Sequence, residues 1–250
     1  MALSVCEVLD RHGHVDRDAL ARAFAARHSA DPRRGYGAGA RRILRDLAAG
    51  VPWPQAAQAA HDGQGSKGNG AAMRAAPIGA WFADDLGRAA AEAAASADPT
   101  HAHADGRAGA VAVAVAAALA VRVQQGGLAR DGAAWLRVVL DHTPDGELRL
   151  GVRKALALDL DFDVATAAHA LGNGVQLLAA DTVPLALWCA ARHLADYEAA
   201  LWTTVAALGD RDTTCAIVGG IVACAAGRQS IPAAWRAARE PVGGDFEPRR

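Results

Sequence analysis

Lysine is nearly missing from this 250-residue chain: Lys67 and Lys154 are the only two. Arginine carries the rest of the basic charge, a usage that reflects genomic base composition rather than a ligand site. The 26 basic residues are matched by 27 acidic ones, a net charge of -1. That balance excludes a basic field able to draw in nucleic acid without regard to sequence. Aromatics make up only 5% of the chain, and β-branched runs bounded by turn residues are scarce, which argues against sheets. The four cysteines, Cys6, Cys189, Cys215 and Cys224, form no CxxC pair and lie in apolar, helix-like settings. Buried reduced thiols in a cytoplasmic protein are expected, not disulfides. The opening MALSVCEVLDRHG lacks a basic n-region, so no signal peptide is expected. The most apolar run, Ala108–Val121, is too short to span a bilayer and reads as a buried core helix.

What the chain has in excess is alanine, within 52% hydrophobic residues. Alanine loses no side-chain entropy in a helix and lets helices approach closely. An all-α domain of many tightly packed helices is expected, one domain over 1–240 with a frayed tail over 241–250. The patterning predicts helices from the start to about Asp10, over Arg17–His28 behind an Asp16 cap, over Ala40–Ala49, and over Gln55–His61 behind Pro54. A further helix starts near Ala71 and is interrupted at Pro77. Others cover Leu86–Ala97, the Ala/Val run to about Gln125, Gly132–Leu140, Val164–Leu171, Thr182–His193, Tyr197–Ala207 and Thr213–Ala226, and Pro232 opens a last short one. Thr143–Arg153 reads as the least regular stretch.

Several constellations could carry chemistry. In Gly209-Asp-Arg-Asp-Thr-Thr214 two carboxylates stand two residues apart just before an apolar helix. One acid or hydroxyl there would cap the helix. Two acids followed by hydroxyls would also gather hard oxygen ligands for Mg²⁺ or Ca²⁺, and the spacing leaves both readings open. Ser66-Lys-Gly-Asn-Gly-Ala-Ala-Met-Arg74 leads small residues into a helix start, where free N–H groups favour an anion such as a pyrophosphate; a plain loop has the same composition. Thr100-His-Ala-His103 holds an HxH pair without a third zinc ligand nearby, so surface polar residues are the plainer reading. Gly172-Asn-Gly174 breaks two helices and fits a C-cap as well as a site. Asp159-Leu-Asp-Phe-Asp163 imitates the start of a calcium loop, but Val164 and Ala170 stand where glycine and glutamate are required.

Taken in order, these pieces resemble the ADP-ribosylglycohydrolase family, of the dinitrogenase reductase-activating glycohydrolase and ADP-ribosyl-acceptor hydrolase type. The similarity runs from Met1 to about Arg228. It is carried by GNGAAMRAAPIG (Gly68–Gly79), DPTHAH (Asp98–His103), LGNGVQLLAADTVPLALW (Leu171–Trp188) and GDRDTTCAIVGGIVACAAG (Gly209–Gly227). The resemblance implies an all-α, orthogonal multi-helix bundle with a binuclear Mg²⁺ centre in a cleft. Asp210, Asp212 and Thr213 match metal ligands. Gly68, Asn69, Gly70 and Met73 match the lining of an ADP-ribose cleft. His101 matches a histidine facing the ligand, and the loop with Gly172 and Gly174 lies near the same cleft.

The implied reaction is Mg²⁺-dependent hydrolysis of an ADP-ribosyl bond on a protein or a small molecule. The implied setting is a bacterial cytoplasmic monomer with no membrane and no general nucleic-acid partner. The family's Thr-Asp-Asp-Thr segment, which carries the other metal ligands and usually a catalytic acid, precedes a methionine that Met1 resembles. The recorded chain is therefore expected to be N-terminally truncated by roughly 50 residues and impaired in hydrolysis. The alternative is a non-catalytic protein that binds ADP-ribose or a nucleotide.

Overall fold

Aspartate caps set many of the helix starts. The computed structural model describes residues 1–241; the tail expected to fray after Glu240 lies, but for Pro241, outside the described residues. α1 (Ala2–His12) ends on Gly13. α2 (Arg17–Ala30) begins at Asp16, whose carboxylate accepts from Ala19 N at 2.8 Å. α3 (Ala38–Ala48) and the short α4 (Trp53–Gln58) follow. A 3₁₀ turn over Ala72–Arg74 leads into α5 (Ala76–Trp81). Asp85 caps α6 (Leu86–Ala97), and His103 caps α7 (Ala104–Gln124). Asp131 caps α8 (Gly132–His142), and α9 covers Glu147–Ala157. Asp163 caps α10 (Val164–Leu171), ahead of α11 (Ala179–Arg192). Asp196 caps α12 (Tyr197–Ala206), and α13 (Arg211–Ala226) and α14 (Ala233–Ala238) complete the set. No strand forms among the described residues; an isolated antiparallel bridge joins Gly68 to Leu178. The protein is all-α, as its composition implies.

α7 is the centre. Every residue from Ala108 to Ala120 is buried, and α5, α6, α11 and α13 pack around it. Alanine and glycine make this possible, because a helix clothed in methyl groups leaves room for neighbours on all sides. The helix extends beyond its apolar run to 21 residues, so by length and composition it could cross a membrane; 83% of its most apolar window is buried inside the protein. The core is continuous from Val5 in α1 to Ala225 in α13.

Three local readings need correction. Thr143–Arg153, expected to be irregular, runs into α9, with Leu148, Val152 and Ala155 buried at helical spacing. Gly151 within it lets α11 approach closely, because a Cβ there would stand 2.5 Å from Pro184 Cγ of α11. The break expected at Pro77 comes before it, and Pro77 sits in the first turn of α5, where its missing N–H costs nothing. α11 starts at Ala179, three residues before the expected Thr182, and holds Pro184 inside it. Of the four thiols only Cys189 is fully buried; the others are half-buried and all are free.

Candidate active site

The start of α13 is held from two sides. Gly209 turns the chain with φ 66°, and Asp210 N donates to Asn173 O at 3.0 Å. Asp210 occupies the cap position but makes no side-chain capping bond. Its Oδ2 instead accepts from Asn69 Nδ2 at 2.7 Å. The second amide hydrogen of Asn69 reaches Thr182 Oγ1 at 3.0 Å, and that hydroxyl donates to Leu178 O at 2.8 Å. One amide thus ties the glycine turn to α11 and α13. Its orientation is fixed: a flipped amide would set a carbonyl against a carboxylate and against a hydroxyl whose hydrogen is already used.

Asp210 and Asp212 face each other closely enough to share a hydrogen bond. Burial, and then that shared bond, push the Asp210 carboxyl above its usual range. The same bond holds Asp212 below it, helped by the amides of Asp212 and Thr213. Among the described residues neither carboxylate has a salt-bridge partner. The Thr213 hydroxyl lies beside them, 3.9 Å from Met73 Sδ. Two facing carboxylates, a hydroxyl and no balancing cation suit a hard divalent ion. Mg²⁺ is usually held by one or two carboxylates and keeps several waters, so this donor set fits one such ion. The described residues contain no group of three or more His, Cys, Asp or Glu placed to hold a metal, so this donor set rests on two acids and a hydroxyl.

The glycine turn forms the opposite wall. Asn69 N donates to Leu177 O at 3.0 Å and Ala179 N to Lys67 O at 2.9 Å, which pins residues 67–69 to the segment before α11. A Cβ on Gly68 or Gly70 would stand 3.5 or 3.4 Å from His101 Nε2, so the imidazole edge lies against both glycines. The HxH pair does not converge. His101 is buried against the turn, whereas His103 caps α7 by accepting from Asp105 N at 3.1 Å. Burial, then the Arg74 guanidinium and His61, lower the His101 pKa to about 3.

An unfolded histidine titrates near 6.5. Between those two values the unfolded chain binds the extra proton, so this stability contribution is complete above about pH 6.5 and is lost as pH falls toward 3. Unfolding free energies of wild type and His101→Gln from urea melts should converge as pH drops from 7.5 to 4.5, by roughly 1 kcal/mol per pH unit below 6.5. A constant difference across that range would contradict the burial of a neutral imidazole.

The structure brings Asn69, Met73, Gly174, Asp210, Asp212 and Thr213 into one cluster, with Gly68, Gly70 and His101 along its edge. Gly174 packs its Cα on Asp210; a Cβ there would lie 2.7 Å from Asp210 Cβ. Gly172 backs instead onto Asp181 and closes α10. Of the four described non-glycine residues with positive φ, Leu177 accepts from Asn69 N and Leu208 precedes Gly209 at the cluster, while His61 and Asp62 lie in the loop after α4. Stored backbone strain of this kind gathers at functional sites. Sequence reading missed Thr182 and gave no role of their own to Thr100 and Arg74, which open one motif and close another. A lone hydroxyl in an apolar helix and a lone arginine in a small-residue motif were the available signals. A depression of about 560 Å³ lined by Asp18, Arg22 and Trp53 among others contains none of the cluster's residues.

The fold and cluster define an all-α protein with an acid pair facing a glycine turn across one buried amide. A model of the ADP-ribosylglycohydrolase family matches residues 1–248. The protein named ADP-ribosylhydrolase ARH3 from Danio rerio is 30% identical over 268 residues, covering 94% of this chain and 70% of that protein. A solved chain described as an ADP-ribosylglycohydrolase-related protein complex has a TM-score of 0.67 at 23% identity, covering 96% of this chain and 74% of its own, which shows a shared fold. This chain belongs to the ADP-ribosylglycohydrolase family.

Proposed function

We propose that the chain hydrolyses an ADP-ribosyl glycosidic bond and releases ADP-ribose from a protein or small-molecule acceptor. The family and the identity to a protein named an ADP-ribosylhydrolase support the reaction class. The observation that carries the site is the Asn69–Asp210 hydrogen bond at 2.7 Å, which joins the acid pair to the glycine turn. A two-carboxylate glycosidase is the wrong comparison: those acids stand about 5–9.5 Å apart with the sugar between them, whereas Asp210 and Asp212 touch.

In this reading Asp210, Asp212 and Thr213 hold Mg²⁺. When bound, the ion would act as a Lewis acid toward ribose oxygens and make a water more acidic. The chain's own residues do the rest. Asn69 fixes one oxygen of Asp210 and so aims the other. Gly68 and Gly70 let the ligand approach the backbone. Met73 lies under Thr213, and His101 lines the edge. With three protein oxygens for one ion, metal is held weakly by these residues alone and hydrolysis is slow.

The same count of donors favours a second reading, a binding protein that keeps ADP-ribose without cleaving it. Calorimetry with ADP-ribose, with and without MgCl₂, separates them when paired with an assay for ADP-ribose release. Binding strengthened about tenfold or more by Mg²⁺, with slow release, supports the hydrolase. Metal-independent binding without release supports the binding protein. No binding in either condition rejects both.

A further inference from the structure

Two leucines at the mouth of the acid pair hold backbone conformations that leucine rarely adopts. Leu177 has φ 59° and Leu208 has φ 60°, in the left-handed region that is uncommon for a bulky residue. Leu208 follows the C-cap of α12, and its N–H donates to Val205 O at 3.2 Å. Glycine usually fills that position, because a Cβ is strained there. Leu177 is held from both sides: its N–H donates to Gly174 O at 2.8 Å, and its carbonyl accepts from Asn69 N at 3.0 Å. Gln176 N donates to Asp181 Oδ2 at 2.8 Å and fixes the middle of the same 174–177 turn.

Burial does not offset this strain. Leu177 is 60% exposed and Leu208 61%, and Val175 on the same turn is 72% exposed. The two leucines therefore weaken the fold rather than support it, which points to a use outside it. Their position narrows that use. Leu208 stands two residues before Asp210. Val175 follows Gly174, whose Cα packs on Asp210, and Leu177 holds the backbone of Asn69, the hydrogen-bond partner of Asp210. Asp210 is half-buried and Asp212 exposed, so the acid pair opens to the surface among these side chains. Gln176 and Arg211, both exposed, add polar groups to the same rim.

In an ADP-ribosylated substrate the bond to be broken joins the terminal ribose to the acceptor, and the adenine lies at the far end, beyond the pyrophosphate. With the acid pair serving the terminal ribose, the group that leaves the cleft beside it is the acceptor. A small acceptor would end inside the cleft. Apolar side chains standing out at its rim instead meet an acceptor that continues past it.

We propose that Val175, Leu177 and Leu208 form an apolar rim for the acceptor side of the substrate, a polypeptide with a large apolar residue next to the ADP-ribosylated one. The assignment rests on the ADP-ribosyl reading above and narrows its acceptor to a protein. The rim touches no reacting atom; it selects among acceptors.

Calorimetry in MgCl₂ tests this with free ADP-ribose and with paired peptides that carry leucine or glycine beside a serine- or arginine-linked ADP-ribose. Wild type should bind the leucine peptide about tenfold more tightly than its glycine partner. Leu208→Gly and Leu177→Asn should each bring the two peptides within about twofold and leave the affinity for free ADP-ribose unchanged. Glycine and asparagine accept left-handed backbone, so both variants should melt no lower than wild type. Equal affinity of wild type for the paired peptides overturns the proposal. So does a lower melting temperature with the peptide preference intact, which would make the leucines structural. Weaker binding of free ADP-ribose by Leu208→Gly would assign the rim to the nucleotide end, and a wild-type dimer that this substitution dissolves would assign it to a second copy; either overturns the proposal. ADP-ribose binding without a peptide preference sinks this inference alone. No binding of ADP-ribose or of any peptide sinks the ADP-ribosyl reading with it.

Discussion

Gly79→Ala is expected to cost about 3 kcal/mol or more, a large share of a domain's net stability of about 5–15 kcal/mol. A methyl group at Gly79 would sit 1.9 Å from Ala114 O, 2.7 Å from Ala114 C and 2.9 Å from Ala118 N. All three are backbone atoms of α7, which has no freedom to retreat because its residues are buried on every side. α5 would have to lift away, opening voids around Ile78 and Ala75, both fully buried. Gly39→Ala is the control. Gly39 lies in α3 with nothing within 4 Å of an added Cβ, so the change should be neutral or stabilise by up to about 1 kcal/mol. Urea melts followed by circular dichroism measure both. A Gly79→Ala protein within about 1 kcal/mol of wild type would mean that α5 and α7 do not approach as closely as described.

Asp212→Asn should move metal binding and stability in opposite directions. The Asp212 carboxyl faces Asp210, and each perturbs the other's ionisation. An amide in its place removes one of two like charges and offers Asp210 a donor. The metal-free variant should therefore melt no lower than wild type, as happens when a functional site gives up a strained charge arrangement. Magnesium affinity should fall about 100-fold or more, beyond the 10–100-fold typical of losing a group that only supports a ligand. Because a ligand that binds only the native state raises stability as RT ln(1 + [L]/Kd), MgCl₂ should raise the wild-type melting temperature and leave the variant's unchanged. Any ADP-ribose release by the wild type should vanish with it. An Asp212→Asn protein that keeps the full Mg²⁺-induced shift would remove Asp212 from the metal site. A melting temperature well below wild type without metal would show that the acid pair serves the fold instead.

Much of the fold was legible because its signals are local. The carboxylates of Asp16, Asp85, Asp131, Asp163 and Asp196 each cap a helix through an amide three residues on, a bond set by short-range geometry. Alanine's abundance implied close helix packing, and α7 bears the consequence. α9 was missed, and the Gly151 within it is a contact with Pro184 in space. Local patterning does not show that use of a glycine inside a helix.

The acids of the candidate site were also visible, as two carboxylates and hydroxyls before an apolar helix. Whether Asp210 capped that helix could not be decided along the chain, because the competing partner is Asn69, 141 positions away. The sequence by itself determined the helical class, most of the helices and the family. Only the tertiary structure decided what the polar side chains of the site do: Asn69 restrains Asp210, Thr182 restrains Asn69, and Arg74 reaches His101 through Thr100. Helix periodicity and capping act over three or four residues, whereas a buried donor takes whichever acceptor the packed helices bring within about 3 Å, and no local pattern encodes that choice.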